Sequence, residues 1–419
     1  MRGVHLSEFD VQSSGGVEKI ALKRAKDVPD AKSRAVKLLL AITAVQVTFF
    51  LFVVSEPEAL LLATIALSAL WLLIIACMPR SVQGATTGGS QLTHLGRWLP
   101  AIVLALAAFK IATRSDVYFA SLAEGFSFAR QLIDDRATSE GSLQTVVNVF
   151  LTPLWINLVV ARGGNRPGLN GWDWAALAAV PLISLFDMFL FGGRVIFAFQ
   201  IVILFIAGIL RPRVTLLVGI FFVGAFTYVH ASRSPELLEL GFSYLSLTAS
   251  GGTLPPLHDL AAMGVPEWTL GPLVLAQYIA HPIGEVMNLV SELPWWNPTF
   301  ATLGDQFAAI GLGDRVASQD WLEQVNPGFG TYQTFFGPLL IDFGLAGFGI
   351  ATAGLLTLAG LSHFLRGHLR HVMVILILSN LALASIDNFF IMGGGFIQSI
   401  LAIFLALALS YRIRGIARG

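Results

Sequence analysis

Apolar residues in this chain gather into long blocks instead of alternating, and block length decides how they are read. The blocks fall at 36–54, 59–77, 99–112, 146–160, 175–191, 195–210 and 214–229, then, after a gap, at 335–361, 372–384 and 396–409. A bilayer crossing needs about 20 mostly apolar residues, fewer where the ends snorkel or the bilayer thins. The pattern predicts ten transmembrane helices, so the fold class is all-α and polytopic. Between the seventh and eighth blocks, residues 231–334 form an outward segment too long for a structureless loop. Gly251-Gly252, Pro255-Pro256, Gly304 and Gly311–Gly313 break it, which predicts short helices lying as a cap on the outer surface. The chain thus divides into a tail (1–35), seven helices (36–230), the large loop (231–334), three helices (335–411) and a short end (412–419).

Composition agrees with the pattern: 55% of residues are hydrophobic and 12% charged. The polar first 35 residues are unlike a cleavable signal peptide. Cys77 is the single cysteine, so disulfides and cysteine-based metal sites are not expected.

Net charge is zero, yet the charges are unevenly placed. With the N-terminal tail in the cytoplasm, ten crossings put 18 of the 26 basic residues on that side, among them Arg34, Arg97, Arg162, Arg211, Arg366 and Arg370. The loop 231–334 holds ten acids but only Arg233 and Arg315 as strong bases. The positive-inside rule then sets both termini in the cytoplasm and the large loop on the opposite side of the membrane.

Ionisable residues within spans are expensive and usually mark sites or paths. Asp342 falls about 10 Å below the outward start of the eighth block at 1.5 Å per residue. Asp187, Asp387, Lys110, Arg114, Arg194 and Arg233 all fall toward the same side. Arg194 follows Gly192-Gly193 and opens the sixth block, where an anchored guanidinium suits an anionic group such as phosphate. Structural ion pairs, for instance Asp187 with Arg194, explain such residues equally well. Trp295 and Trp296 fit either a sugar-stacking platform or an interfacial aromatic belt. A Walker loop, an HExxH motif and an acidic pair of the DxD kind are all absent from the sequence, so neither metal nor cofactor is expected. His363, His368 and His371 read as solvated loop residues on the cytoplasmic side.

Two stretches carry a family likeness. Asn326-Pro-Gly-Phe-Gly-Thr331-Tyr332, leading into Asp342-Phe343-Gly344-Leu345-Ala346-Gly347, resembles the Asn-x-x-Thr … Asp-Phe-Gly-x-x-Gly stretch of Wzy-type O-antigen and exopolysaccharide repeat-unit polymerases. Phe191-Gly192-Gly193-Arg194 resembles that family's Ser/Gly-Arg segment. About thirty residues carry the motifs, while the architecture covers most of the chain. The resemblance implies a GT-C-like membrane glycosyltransferase, independent of metal and of nucleotide sugars. Its substrate would be an undecaprenyl-diphosphate-linked oligosaccharide in the periplasmic leaflet. Membrane lipids and a chain-length regulator are the partners it leaves room for; no nucleic acid is expected. By this likeness Arg194 and Arg233 would meet the leaving diphosphate, with Arg114 as a further cation. Asp342, Glu285 and His281 would orient or deprotonate the acceptor hydroxyl. Tyr278, Asn326, Thr331 and Tyr332 would hold sugar or phosphate. Two alternatives stay open: an O-antigen ligase using the same donor, and a lipid-linked glycan transporter or flippase.

Overall fold

The structure, a computed structural model, describes residues 30–79, 94–124, 143–163, 169–191, 194–233, 240–249, 254–304, 335–386 and 395–416. Among these the regular structure is helical, and every apolar block of the sequence lies on helix. In chain order the helices are α1 (Ala31–Val53), α2 (Glu58–Cys77), α3 (His94–Thr113), α4 (Ser115–Glu124), α5 (Leu143–Arg162), α6 (Gly171–Phe191) and α7 (Arg194–Ile206). Then come α8 (Pro212–Arg233), α9 (Phe242–Ala249), α10 (Leu270–Glu292), α11 (Gly337–Phe343), α12 (Ala346–Phe364), α13 (Gly367–Leu383) and α14 (Gly395–Ile416). Four stretches are long and apolar enough to cross a membrane by length and composition: Ala31–Val53, Glu58–Cys77, Gly96–Thr113 and Ala346–Phe364.

Side-chain contacts pair the helix ends and so fix the directions. At one end of the bundle, Asp30 caps α1 through the Lys32 amide, and Lys32 Nζ donates to the carbonyls of Ala76 and Met78 where α2 finishes. Arg34, buried at the start of α1, donates to the Phe205 carbonyl at the end of α7 (2.7 Å). Arg162, closing α5, pairs with Asp173 in the first turn of α6 (2.9 Å). His363 of α12 meets the Cys77 carbonyl at the end of α2. Cations on terminal carbonyls oppose the negative pole of each helix, which is where they stabilise most. This is the Asp173 end. Of the three histidines expected to stand solvated, His363 and His371 make exposed bonds to backbone carbonyls, whereas His368 bonds Asn157 Oδ1 within the helix packing. A ring nitrogen that reaches a protein acceptor inside the helix packing no longer needs water.

The opposite end carries Asp187. There the turn after α1 is held by Ser55 N–H and Oγ on the Pro256 carbonyl and by His258 N–H on the Val53 carbonyl. Trp98, Trp172 and Trp174 are exposed at the Asp173 end, and Trp268, Trp295 and Trp296 are exposed on either side of Leu270–Glu292. The ends of membrane helices are where amphipathic indole rings sit.

Helix α13 is the axis of the bundle. Every residue from Val372 to Leu383 is buried, against α1, α7, α12 and α14. A 17-residue helix enclosed by others has no lipid face to cover, so its short length is tolerable.

Two expectations change. The block at 335–361 is broken at Gly344, where a positive φ of 66° ends α11 before α12 begins. The freed amides of Leu345 and Ala346 donate to the carbonyls of Pro294 and Trp295 (3.0 and 2.9 Å). The longest described helix of the 231–334 segment, α10, packs into the bundle beside α1, α2 and α8. Gln46, well inside α1, donates to the Ile279 carbonyl of α10 (2.9 Å), while Val286 and Leu289 join the main core. The buried apolar residues Val274, Ala280, Ile283 and Val286 gain more by burial there than on a surface.

Candidate functional site

Lys110 in the last turn of α3 and Arg114 just beyond it stand four residues apart, and so on one side of the chain. Both reach Asp187 near the end of α6: Lys110 Nζ lies 2.7 Å from Oδ2 and Arg114 Nη1 3.1 Å from Oδ1. Tyr118, one turn into α4, donates its hydroxyl to the same Oδ1 at 2.8 Å. The three charged side chains are 11–17% exposed. Burial first, and the Asp187 carboxylate second, push the Tyr118 phenol above its ordinary value, so it stays a hydrogen-bond donor. Among the described residues this carboxylate thus gathers two cations and a phenol. Where the sequence paired Asp187 with Arg194, its described partners are therefore Lys110, Arg114 and Tyr118. The sequence signal for Tyr118 was its spacing from Arg114, one helical turn on.

Asp342 has a different employment. Only 1% exposed, it accepts the amides of Thr302 (2.7 Å, Oδ1) and Leu303 (3.2 Å, Oδ2), the first turn of the helical residues 301–304. A carboxylate on the orphan amides of a helix start is a cap. Its own carbonyl accepts the Thr299 amide (2.9 Å), and Thr299 Oγ1 bonds the Ile341 carbonyl. Phe343 stacks on Trp296 and meets Phe300 edge-on. A side chain on Gly344 would strike the Pro294 carbonyl, and one on Gly347 the Leu339 carbonyl. Asp-Phe-Gly-x-x-Gly is thus a bracket that fastens the segment 293–304 onto the break between α11 and α12.

The remaining candidates are spread along α10 or lie outside the described residues. His281 and Glu285 share one face of α10, four residues apart, with Glu285 buried and His281 partly so. Tyr278 packs its ring edge-on against Phe226 (5.2 Å between centroids), inside the second apolar core. Arg194 and Arg233 are the first residue of α7 and the last of α8, and their side chains lie outside the described residues. Asn326, Thr331, Tyr332 and Asp387 also lie outside them. Among the described residues no cluster of three or more His, Cys, Asp or Glu is placed to hold a metal.

Sequence reasoning passed over a set of neutral polar residues in the core. Gln46, Gln200, Ser379, Asn380, Ser385 and Ser399 are all buried. Each has a side-chain polar atom with no hydrogen-bond partner among the described residues. Their signal was available as uncharged polar letters within apolar blocks, which attention to charge alone misses.

An all-helical bundle with membrane-length apolar helices, exposed tryptophans and ionisable groups gathered at its ends is that of an α-helical membrane protein. No protein-family model matches the chain, and no curated protein or solved structure matches it either.

Proposed function

We propose that this membrane protein is a glycosyltransferase that polymerises undecaprenyl-diphosphate-linked oligosaccharide units at the membrane face on the Asp187 end, taken as the periplasmic one. The observation that carries the reading is the gathering of two cations, Lys110 and Arg114, on Asp187 at the mouth of the bundle. A lipid-linked diphosphate presents its charge at that depth, and preorganised cations there stabilise it more than water-exposed ones do. The basic residues at the opposite end support assigning that end to the cytoplasm.

In the reaction an acceptor hydroxyl oxygen forms a bond to the anomeric carbon of the donor glycan. The bond from that carbon to the diphosphate oxygen breaks, and undecaprenyl diphosphate leaves with the electron pair. Arg194 and Arg233 are proposed to meet the growing charge, with Lys110 and Arg114 holding the field around them. The hydroxyl proton passes to Glu285 or His281, the two titratable groups on one face of α10. Asp342 is moved from the catalytic set to positioning, because both its oxygens already serve backbone amides. The arginines supply the charge stabilisation that a metal would otherwise give.

The test is direct. Purified protein in nanodiscs, given a lipid-linked repeat unit, should return a ladder of lengthened products. Arg194→Ala, loaded at equal amount, should slow the ladder on the order of a hundredfold. Return of the unit unextended by the wild-type protein, or a full ladder from Arg194→Ala, would overturn the assignment.

A further inference from the structure

Six buried polar side chains lie at similar depth around the outward half of α13. Ser379 and Asn380 belong to α13 itself, Ser385 follows it, Gln46 is on α1, Gln200 on α7 and Ser399 on α14. At 1.5 Å per residue all lie within about 11 Å of where their helices finish or start at the Asp187 end. Helix α13 packs against each of α1, α7 and α14, and Gln46 Nε2 reaches the Ser385 carbonyl (3.2 Å), tying two of the six together.

Their bonding is incomplete in one particular sense. Gln46 uses its amide nitrogen on Ile279 and Ser385, and Asn380 uses its own on Leu376, yet Gln46 Oε1 and Asn380 Oδ1 have no partner among the described residues. The same is true of both amide atoms of Gln200 and of the hydroxyls of Ser379, Ser385 and Ser399. Helical serine hydroxyls commonly turn back to a carbonyl one turn earlier, as Thr64 and Ser410 do here. Ser379 and Ser399 do not. Buried polar atoms are nearly always bonded, and isolated exceptions mark strain, function or an ordered ligand. Six with unbonded polar atoms on α13 and the helices packed against it, all in the half nearer the Asp187 end, are not packing accidents. The group is neutral and rich in carbonyl acceptors, so it suits a partner that donates hydrogen bonds without charge.

We propose that these residues line a buried site for neutral hydroxyl groups, open toward the Asp187 end of the bundle. Water and sugar hydroxyls share that chemistry. Glycosyl transfer is not required for such a site; the sugar source, and the placing of the Asp187 end on the outer face, draw on that reading. Apolar side chains at these positions would serve a dry core better, since an amide with no partner is worse inside a bundle than a methyl group.

The experiment uses the full chain in right-side-out vesicles, with Cys77→Ser as background. Ser379→Cys, Ser385→Cys and Ser399→Cys are exposed to a small, charged, membrane-impermeant methanethiosulfonate added outside, and in parallel in inside-out vesicles, so that a reversed orientation shows as reaction from the other face. Ile377→Cys and Leu378→Cys, buried on the same helix, serve as controls. The serine positions should react at least tenfold faster than the controls. Slowing by a neutral disaccharide at high concentration identifies sugar hydroxyls as occupants; no slowing identifies water, and both results support the site. Reaction no faster than the controls overturns it. Should a cysteine variant fail to fold, Gln200→Leu decides independently. A dry core predicts a higher thermal midpoint for Gln200→Leu, whereas a hydroxyl-filled site predicts a lower one.

Discussion

Lys110 Nζ and Asp187 Oδ2 lie 2.7 Å apart across 77 residues of sequence, and that contact sets the ends of α3 and α6 side by side. With Arg114 and Tyr118 on the same carboxylate, removal of Asp187 leaves two cations facing each other at a poorly hydrated site. Asp187→Asn should therefore destabilise the protein by about 3 kcal/mol, the range for breaking a largely buried pair. Lys110→Met should cost less, because Arg114 and Tyr118 still hold the carboxylate. Thermal unfolding of the two variants in detergent checks the order; equal losses would mean that solvent screens the cluster.

Tyr118 gives the same cluster a pH signature. Its phenol titrates above its ordinary value near 10 because burial and Asp187 both disfavour the phenolate. A group whose folded value is raised contributes stability that is complete below the unfolded value and lost as pH rises through the folded one. Stability should hold up to about pH 10 and fall above it. In Tyr118→Phe that part of the fall should vanish, with a loss of about 2 kcal/mol at neutral pH for one hydrogen bond to a charged group. Parallel denaturation series at pH 8 and pH 11 measure the difference.

The reach of the sequence can be judged from such residues. Apolar block length was sufficient to put each block on helix, because lipid or core must cover a run of that size and a helix satisfies its backbone. Which ends meet was not legible. Asp187 is equally compatible by sequence with Arg194, Arg114 or Lys110, since pairing follows from the lateral order of helices, which no local pattern encodes. The burial of α10 was hidden by its mixed composition: Gln277 and Glu285 look like surface residues, yet Gln277 spends its amide on the Leu245 carbonyl. Asp342 drew attention as a charge in an apolar block. Its partners, two amides some forty residues earlier, could not be foreseen without the fold.

Gly344 and Gly347 should tolerate no side chain. Gly344 combines a left-handed φ with a backbone carbonyl in the space of its missing Cβ, and Gly347 meets a carbonyl of the preceding helix. Alanine at either position forces backbone apart, beyond the roughly 1 kcal/mol of the conformational penalty alone. Gly354→Ala is the control, with open space at its Cβ and a helical gain instead. Yield of monodisperse protein should drop for the first two and hold for the third.

Asp342→Asn separates positioning from proton transfer. As the cap of residues 301–304, Asp342 holds the Thr302 and Leu303 amides, and loss of such a cap costs about 1–2 kcal/mol locally. Asparagine keeps one acceptor oxygen and so can hold one of the two amides, while alanine holds neither. Amide hydrogen exchange should therefore accelerate severalfold at both Thr302 and Leu303 in Asp342→Ala and at one of the two in Asp342→Asn, with product ladders shortened in the same order. A general base behaves otherwise, because asparagine cannot take a proton. Asp342→Asn would then be as inactive as alanine while one of the two amides stayed protected, and that outcome would return Asp342 to the catalytic set.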